Sequence, residues 1–248
     1  MGRTEDHDGE DRVLVLGIET STPQASVAIG SEQGVVASAL IARGHSYNEF
    51  LLPAIRFCLD ETDLGFRNLR GVAVSLGPGL YTGMRVGVAT AKALAQTLSV
   101  PIVGMASLDL LAYSVRHTSK TICAVLDARR NEVFNSFYRS SPGGIQRMSD
   151  YRVERPERLA VGIASRSEGV LMVGNGALLY RDLFEDIGTT VEVGTMSHAF
   201  PDARSLVELA LPRMMREDFD SLYGIKPLYL RQSAARIQWD RIRERRTA

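Results

Sequence analysis

Two acidic residues stand where buried strands are predicted to end, and carboxylates in such places can hold a Mg²⁺–phosphate group. Glu19 closes the apolar run of residues 13–19, and Asp127 closes that of residues 122–127. A working site of this kind also needs glycine-rich hairpins whose N–H groups face the phosphates. The turns that follow Glu19 and Asp127 therefore decide whether the sequence encodes a nucleotide site.

Neither turn contains the glycines that a phosphate hairpin needs. Residues 20–24 are Thr-Ser-Thr-Pro-Gln, in which Pro23 has no N–H to donate. Asp127 is followed by Ala128, Arg129 and Arg130, whose arginines could contact an anion or simply form a surface turn. The pattern favours a degenerate nucleotide cleft, and it leaves open weak nucleotide binding or an active ATPase that uses both acids. The residues of this cleft would be Glu19, Thr20, Ser21, Asp127 and Arg129.

Templates for other chemistry do not fit the sequence. The four histidines are scattered, and His45 with Glu49 supplies too few ligands for a tight metal site. The sequence contains no H-E-x-x-H, no G-x-S-x-G and no P-loop motif. The glycines at 77, 79 and 83 miss the spacing of a dinucleotide fingerprint. We predict no metal site and no catalytic residue.

The elements that carry the two acids repeat in the same order. Each half of the chain reads strand, acid, turn, two strands, helix, strand, Gly-x-Gly turn and helix, with the Gly-x-Gly turns at residues 77–79 and 174–176. This order predicts an α/β fold with a mixed sheet in each half. The predicted organisation is a first lobe over residues 12–105, on which residues 202–231 pack back, and a second lobe over residues 106–201. Residues 1–11 would be a disordered acidic segment and residues 232–248 a basic tail.

Two helices of the first half have unusual patterns. Residues 46–59 are apolar around more than one face, which indicates burial on a second surface. Pro53 predicts that the regular helix begins near Leu52 or is kinked. The next helix, residues 84–98 with Thr82 as its N-cap, carries a row of small residues that would let another backbone approach closely. This row is Gly83, Gly87, Ala91 and Ala95.

Charge is balanced overall but not along the chain. The 248 residues include 29 basic and 29 acidic side chains, which excludes a generally basic nucleic-acid binder. Residues 1–11 hold five acids and one base, a net charge of −4, and residues 231–248 hold six arginines and two acids, a net charge of +4. Direct RNA binding through the basic tail is therefore a separate hypothesis, beside the simpler one of frayed, solvated ends.

The same sequence features bear on location. No apolar run approaches the roughly 18–20 residues that a membrane-spanning helix needs. The acidic segment before residue 12 does not resemble a signal peptide. Cys58 and Cys123 lie in apolar segments, which suits buried free thiols in a reducing compartment. We expect a cytoplasmic protein that makes no membrane contact.

Several segments together resemble the bacterial TsaB (YeaZ) family, over residues 13–231. The specific combination is Gly-Pro-Gly-x-x-Thr-Gly-x-Arg-x-Gly at residues 77–87 with Leu-Asp-Ala-Arg-x-x-Glu-Val at residues 126–133. Supporting segments are Leu-Gly-Ile-Glu-Thr-Ser at 16–21, Gly-His-Ser at 44–46 with Leu-Leu-Pro at 51–53, and Pro-Leu-Tyr-Leu-Arg at 227–231. The resemblance implies two tandem ribonuclease-H-like lobes, as in the actin, hexokinase and Hsp70 class.

The resemblance also implies a non-catalytic role in making N6-threonylcarbamoyladenosine at position 37 of tRNAs that read codons starting with A. The chain would pair with the catalytic subunit TsaD, and a small ATPase, TsaE, would join them. ATP, Mg²⁺ and tRNA would be handled by that assembly, so the chain would need no cofactor of its own. Self-association of the isolated chain through the same surface is left open. The implied partner surface lies on the two unusual helices and comprises Leu51, Leu52, Ile55, Leu59, Gly83, Gly87, Thr90, Ala91 and Leu94.

Overall fold

The first five strands form one mixed sheet. The computed structural model describes residues 12–42 and 47–231. In the order β3-β2-β1-β4-β5, the first three strands form an antiparallel meander and the last two run parallel to β1. The short turns after β1 and β2 allow only antiparallel pairing, whereas β4 and β5 return through helices. The strands are β1 (Leu14–Glu19), β2 (Ala25–Ser31), β3 (Gly34–Ile41), β4 (Leu69–Ser75) and β5 (Ile102–Met105).

Two helices cover one face of this sheet. They are α1 (Tyr47–Asp60) and α2 (Tyr81–Leu98). Side chains alternate along β1, so Leu16 and Ile18 point to this face and pack with Leu51 and Ile55 of α1. Every residue of β1 and β2 is buried, which means that the opposite face is covered as well.

The second sheet repeats the topology of the first. Its order β8-β7-β6-β10-β11 again joins an antiparallel meander to two parallel strands, and a short extra strand, β9, pairs with β7. The predicted α/β fold of two tandem ribonuclease-H-like lobes is therefore confirmed. The strands are β6 (Thr121–Asp127), β7 (Val133–Ser141), β8 (Gly144–Arg147), β9 (Arg152–Glu154), β10 (Val170–Val173) and β11 (Val191–Val193).

The remaining helices complete both lobes. One face of the second sheet packs on α4 (Pro156–Ala164), α5 (Asn175–Leu179) and α6 (Arg181–Glu185), and the other packs on α3 (Ser107–Ser114). The last helix, α7 (Ala203–Met215), covers the face of the first sheet opposite α1 and α2. There the Cα of Gly17 faces the main chain of Ala203, and a Cβ atom would be 2.9 Å from its carbonyl oxygen.

A buried polar contact joins α3 to the second lobe. Asp109 of α3 accepts hydrogen bonds from the hydroxyls of Tyr138 on β7 and Tyr151, both at 2.8 Å. Burial raises the pKa of Asp109, and the two tyrosine hydrogen bonds oppose that rise. Because α3 also packs on α7, this contact links the cores of the two lobes.

Some local predictions were wrong. The helix that contains Pro53 begins at Tyr47, so the alternative of a start near Leu52 was wrong, while a kink stays a prediction. Pro53 lies on the exposed side of this helix, where water can satisfy the carbonyl that lacks an N–H partner. Thr82 is not an N-cap, because α2 begins one residue earlier with Leu80 at that position and no side-chain cap.

Two further groups of predictions concern a membrane-spanning helix and the chain ends. Within residues 12–42 and 47–231, no helix is long and apolar enough to cross a membrane. The predictions on the acidic segment 1–11, on His45 and on the basic tail 232–248 lie outside the described residues.

Candidate functional site

Glu19 ends β1 as a fully buried carboxyl group. One oxygen, Oε1, accepts a hydrogen bond from the backbone N–H of Ser21. Burial raises the pKa of Glu19, and the neighbouring Ser21 and Ser75 oppose that rise. Within the described residues, however, Glu19 Oε2 and both serine hydroxyls lack a partner at hydrogen-bonding geometry, so we treat the two serines as polar neighbours. The carboxyl group is therefore sealed from solvent and from any metal ion outside.

The turn after Glu19 is held against the first residues of α2. The Thr20 hydroxyl donates to the carbonyl of Gly83 at 2.8 Å, and Leu80 N donates to the carbonyl of Ser21 at 2.7 Å. A Cβ atom on Gly79 or on Gly83 would lie well under 3.0 Å from a carbonyl oxygen of this turn. Two stretches of main chain therefore approach each other closely here and leave no room for a side chain at Gly79 or Gly83.

Tyr47, the first residue of α1, closes the turn from another side. Its hydroxyl donates to the carbonyl of Thr22 at 2.9 Å, and the side chain is buried. Burial raises the pKa of Tyr47 as well. Side-chain hydrogen bonds from Thr20 and Tyr47 therefore hold the turn in place.

Asp127 is engaged within its own turn. Its Oδ1 accepts from the backbone N–H of Arg129 at 2.7 Å, and its Oδ2 pairs with the Arg129 guanidinium at 3.3 Å. Arg129, Arg130 and Asn131 all have left-handed backbone angles, with φ of 63°, 56° and 57°. Such a run is costly for residues other than glycine, so contacts such as those of Asp127 must hold it in place.

The gap between the two predicted halves of the cleft is too small for a nucleotide. Ser21, Pro23, Asp127, Arg129 and Asn175 line a space of about 10 Å³, near the minimum that one water molecule needs. A nucleotide site requires several hundred Å³. The structure thus brings Ser21, Asp127 and Arg129 together as predicted, but Glu19 is buried behind them. This gap has no room for ATP between Ser21 and Asp127.

The predicted partner residues divide into buried and accessible sets. Leu51, Ile55 and Leu59 belong to the core of the first lobe. Leu52 is 55% exposed, while Thr90 and Leu94 are half-buried on α2. Phe57, which the sequence did not single out, is 56% exposed on α1.

The small residues of α2 face inward, so the interpretation that they receive another chain's backbone was wrong. Gly83 and Gly87 approach Thr20, and Ala91 is fully buried in the core. The row of small residues makes room for the turn after β1 of this same chain. Gly83, Gly87 and Ala91 therefore leave the accessible surface of α2 to the residues beside them.

A second, larger cavity lies beside the closed cleft. It measures about 550 Å³ and is lined by the start of α2, the turn after β6 and residues 228–231. The rings of Tyr81 and Tyr229 are 5.5 Å apart, and the Arg85 guanidinium lies 4.1 Å over Tyr81. The sequence contained these tyrosines inside two quoted motifs, but 144 positions separate Arg85 from Tyr229, so no local pattern joined them.

Comparison with known proteins finds relatives over most of the chain. A family model described as "TsaD: tRNA N6-adenosine threonylcarbamoyltransferase" matches residues 22–239. The chain is 31% identical to the tRNA threonylcarbamoyladenosine biosynthesis protein TsaB of Bacillus subtilis, over 92% of this chain and 98% of the relative. It is 26% identical to the protein of the same name from Escherichia coli, over 89% and 96%.

A solved structure is similar over its whole length. YeaZ from Pseudomonas aeruginosa superposes with a TM-score of 0.76 at 26% identity, covering 88% of this chain and 99% of that chain. A duplicated ribonuclease-H-like fold defines a member of the actin-like class. Within that class, the chain belongs to the TsaB (YeaZ) family.

Proposed function

We propose that this chain is a non-catalytic subunit of the machinery that makes N6-threonylcarbamoyladenosine at position 37 of tRNA. The names of its relatives support the pathway. The observation that carries the non-catalytic role is the closed cleft, in which Glu19 is buried and only about 10 Å³ remains between Ser21 and Asp127. A chain with such a cleft has no room to bind and turn over a nucleotide between its acids, and it would contribute through its surfaces.

The partner that we propose is a TsaD-like catalytic subunit, docked on the accessible sides of α1 and α2. Leu52 and Phe57 on α1 are each more than half exposed, and Thr90 and Leu94 on α2 are half-buried. Exposed apolar side chains on adjacent helices are typical of protein interfaces. Without that partner, the same surface would accept a second copy of the chain.

The assembly would supply what this chain does not. We propose that ATP and Mg²⁺ bind to a TsaE-like ATPase and to the catalytic subunit, and that tRNA reaches the chain as part of the complex. This chain then needs no cofactor of its own.

Two measurements on the full-length chain test the proposal. We expect the purified chain to hydrolyse no measurable MgATP alone and to co-elute with the TsaD-like protein of the same organism in size-exclusion chromatography. Failure to co-elute would contradict the partner role. A magnesium-dependent ATPase in the isolated chain would support the rival function, an active ATPase.

Conservative variants separate the two functions further. Glu19→Gln and Asp127→Asn keep the shape of each side chain and remove its charge. In a strain that depends on this chain, we expect both variants to sustain threonylcarbamoyladenosine levels in tRNA, measured by mass spectrometry of nucleosides. Loss of the modification with unchanged folding and partner binding would show that the acids do chemistry.

A further inference from the structure

The 550 Å³ cavity beside the closed cleft has the size of a ligand site. Its volume lies within the roughly 300–1,000 Å³ that is usual for small-molecule pockets. It is open to solvent, because Tyr81 and Tyr229 remain 47% and 44% exposed on its wall. Gly79, Leu80, Asp127 and Arg129 line both this cavity and the narrow gap of the cleft, whereas Tyr81 and Tyr229 line this cavity alone.

The aromatic wall is held in a fixed arrangement. Tyr81 and Tyr229 lie with ring centroids 5.5 Å apart and planes tilted by 32°. Arg85 orders both rings, because its Nε donates to the Tyr229 hydroxyl at 3.0 Å while its guanidinium covers one side of Tyr81. Rigid, half-exposed aromatic rings are surfaces on which unpaired bases stack.

The lining of the cavity is also cationic. Arg129, Arg130 and Arg231 line the cavity with Asp127, so its lining carries a net charge of +2. Arg231 donates to the carbonyl of Ala128 at 3.1 Å and pairs with Glu132, which fixes it at the cavity edge. Burial, and then repulsion from Arg130, lowers the pKa of Arg231, as expected where guanidinium groups are held together. The left-handed turn at residues 129–131 presents its arginines to the same space.

We propose that this cavity binds a nucleoside monophosphate unit of an unpaired RNA residue. The base would stack against Tyr81 and Tyr229, and the phosphate would contact Arg129, Arg130 and Arg231. The inference rests on the proposed function, because it makes this chain one of the surfaces that hold the tRNA substrate. A free nucleotide shares the same chemistry, so the experiment must separate the two sources.

Fluorescence anisotropy of a labelled single-stranded oligoribonucleotide with the full-length chain provides the test. Replacing both tyrosines, Tyr81→Ala with Tyr229→Ala, should weaken binding roughly tenfold, since each stacked base contributes on the order of a factor of ten. The variant Tyr229→Phe keeps the ring and should retain most of the affinity. Unlabelled AMP, ATP and oligoribonucleotide serve as competitors. If the cavity binds RNA, the unlabelled oligoribonucleotide should compete far better than AMP or ATP.

The arginine variants test the phosphate contact. Arg129→Ala with Arg130→Ala should reduce the slope of log affinity against log salt by about 0.7 for each lost contact to a single strand. The matched control, Arg152→Ala with Arg155→Ala, removes the same charge from exposed positions outside the cavity and should leave affinity and slope unchanged. Circular dichroism confirms that each variant is folded.

Defined results overturn the inference. They are no binding of RNA by the wild-type chain, equal binding by the tyrosine double variant, or an equal loss in the control pair. AMP competing as well as RNA would assign the cavity to free nucleotides instead. Co-elution with the TsaD-like partner is measured on the same variants. A cavity variant that no longer binds RNA but still binds the partner supports the inference. If the wild-type chain binds the partner but no RNA, the inference is refuted and the proposed function stands.

Discussion

Replacing Gly83 with alanine should destabilise the fold, because no space exists for a methyl group where α2 meets the turn after β1. A Cβ atom at Gly83 would lie well under 3.0 Å from the carbonyl oxygen of Thr20. The obstacle is main chain, and the hydrogen bond from the Thr20 hydroxyl to Gly83 holds it in place. Rotation of a side chain therefore cannot relieve the contact.

Three contributions set the size of the effect. Forcing a methyl group into a packed site costs about 1–3 kcal/mol. Displacing Thr20 also removes a buried hydrogen bond, which adds about 1 kcal/mol. The better helix propensity of alanine returns at most about 1 kcal/mol. The net loss in the free energy of unfolding is about 2 kcal/mol, or a Tm lowered by roughly 4–8 °C for a chain of this size.

Gly162 in α4 provides the matched control. A Cβ atom there would meet nothing within 4 Å, so Gly162→Ala should stabilise the chain by up to about 1 kcal/mol through helix propensity alone. Urea unfolding followed by circular dichroism compares the two variants with the wild type. Equal effects of the two substitutions would refute the packing argument. If Gly83→Ala lost partner binding but kept the stability of the wild type, the small residues of α2 would again be interpreted as a docking surface.

Other substitutions test other parts of the molecule. Burial raises the pKa of Glu19 above 4.5, so the folded chain binds that proton more tightly than the unfolded chain does, and the stability of the wild type should fall as pH rises above this value. Glu19→Gln should reduce this fall, measured by urea unfolding at a series of pH values. An unchanged dependence of stability on pH in the variant would contradict the assigned burial. Tyr138→Phe removes a hydrogen bond to the buried Asp109 and should lower the free energy of unfolding by about 1.5–3 kcal/mol, whereas no loss would mean that the contact is unimportant. Leu52→Glu should weaken binding of the TsaD-like partner by roughly tenfold or more without loss of stability. The control Val161→Glu changes an exposed position of the second lobe and should leave partner binding unchanged. Equal effects of the two substitutions on binding would exclude α1 from the interface.

The order of elements was the part that the sequence predicted well. Glu19 and Asp127 each follow a buried strand, and the matching turns around them indicated a duplication that both sheets show. The missing glycines after each acid led to the prediction of a degenerate cleft, which the variants at Glu19 and Asp127 test. These features are local in the chain, so residue types and their spacing are enough to reveal them.

The direction of packing and the long-range contacts could not be predicted in this way. A row of small residues shows that something passes close to α2, but nothing in the spacing tells whether it is Thr20 of the same chain or a partner. The aromatic wall of the large cavity depends on the return of residues 228–231 to the segment between β4 and α2, where Leu228 N donates to the carbonyl of Leu76 at 2.7 Å. Such a contact follows from the complete topology and not from periodicity.

The position of α7 has a consequence for how the chain is made. Val15 and Ala28 of the first sheet pack against Leu206 and Val207, which are synthesised after the whole second sheet. On the ribosome, the first sheet must therefore wait with one apolar face uncovered while the second lobe emerges and folds. Such a face invites chaperones and aggregation during translation. The first lobe is thus the first to begin folding and the last to be completed.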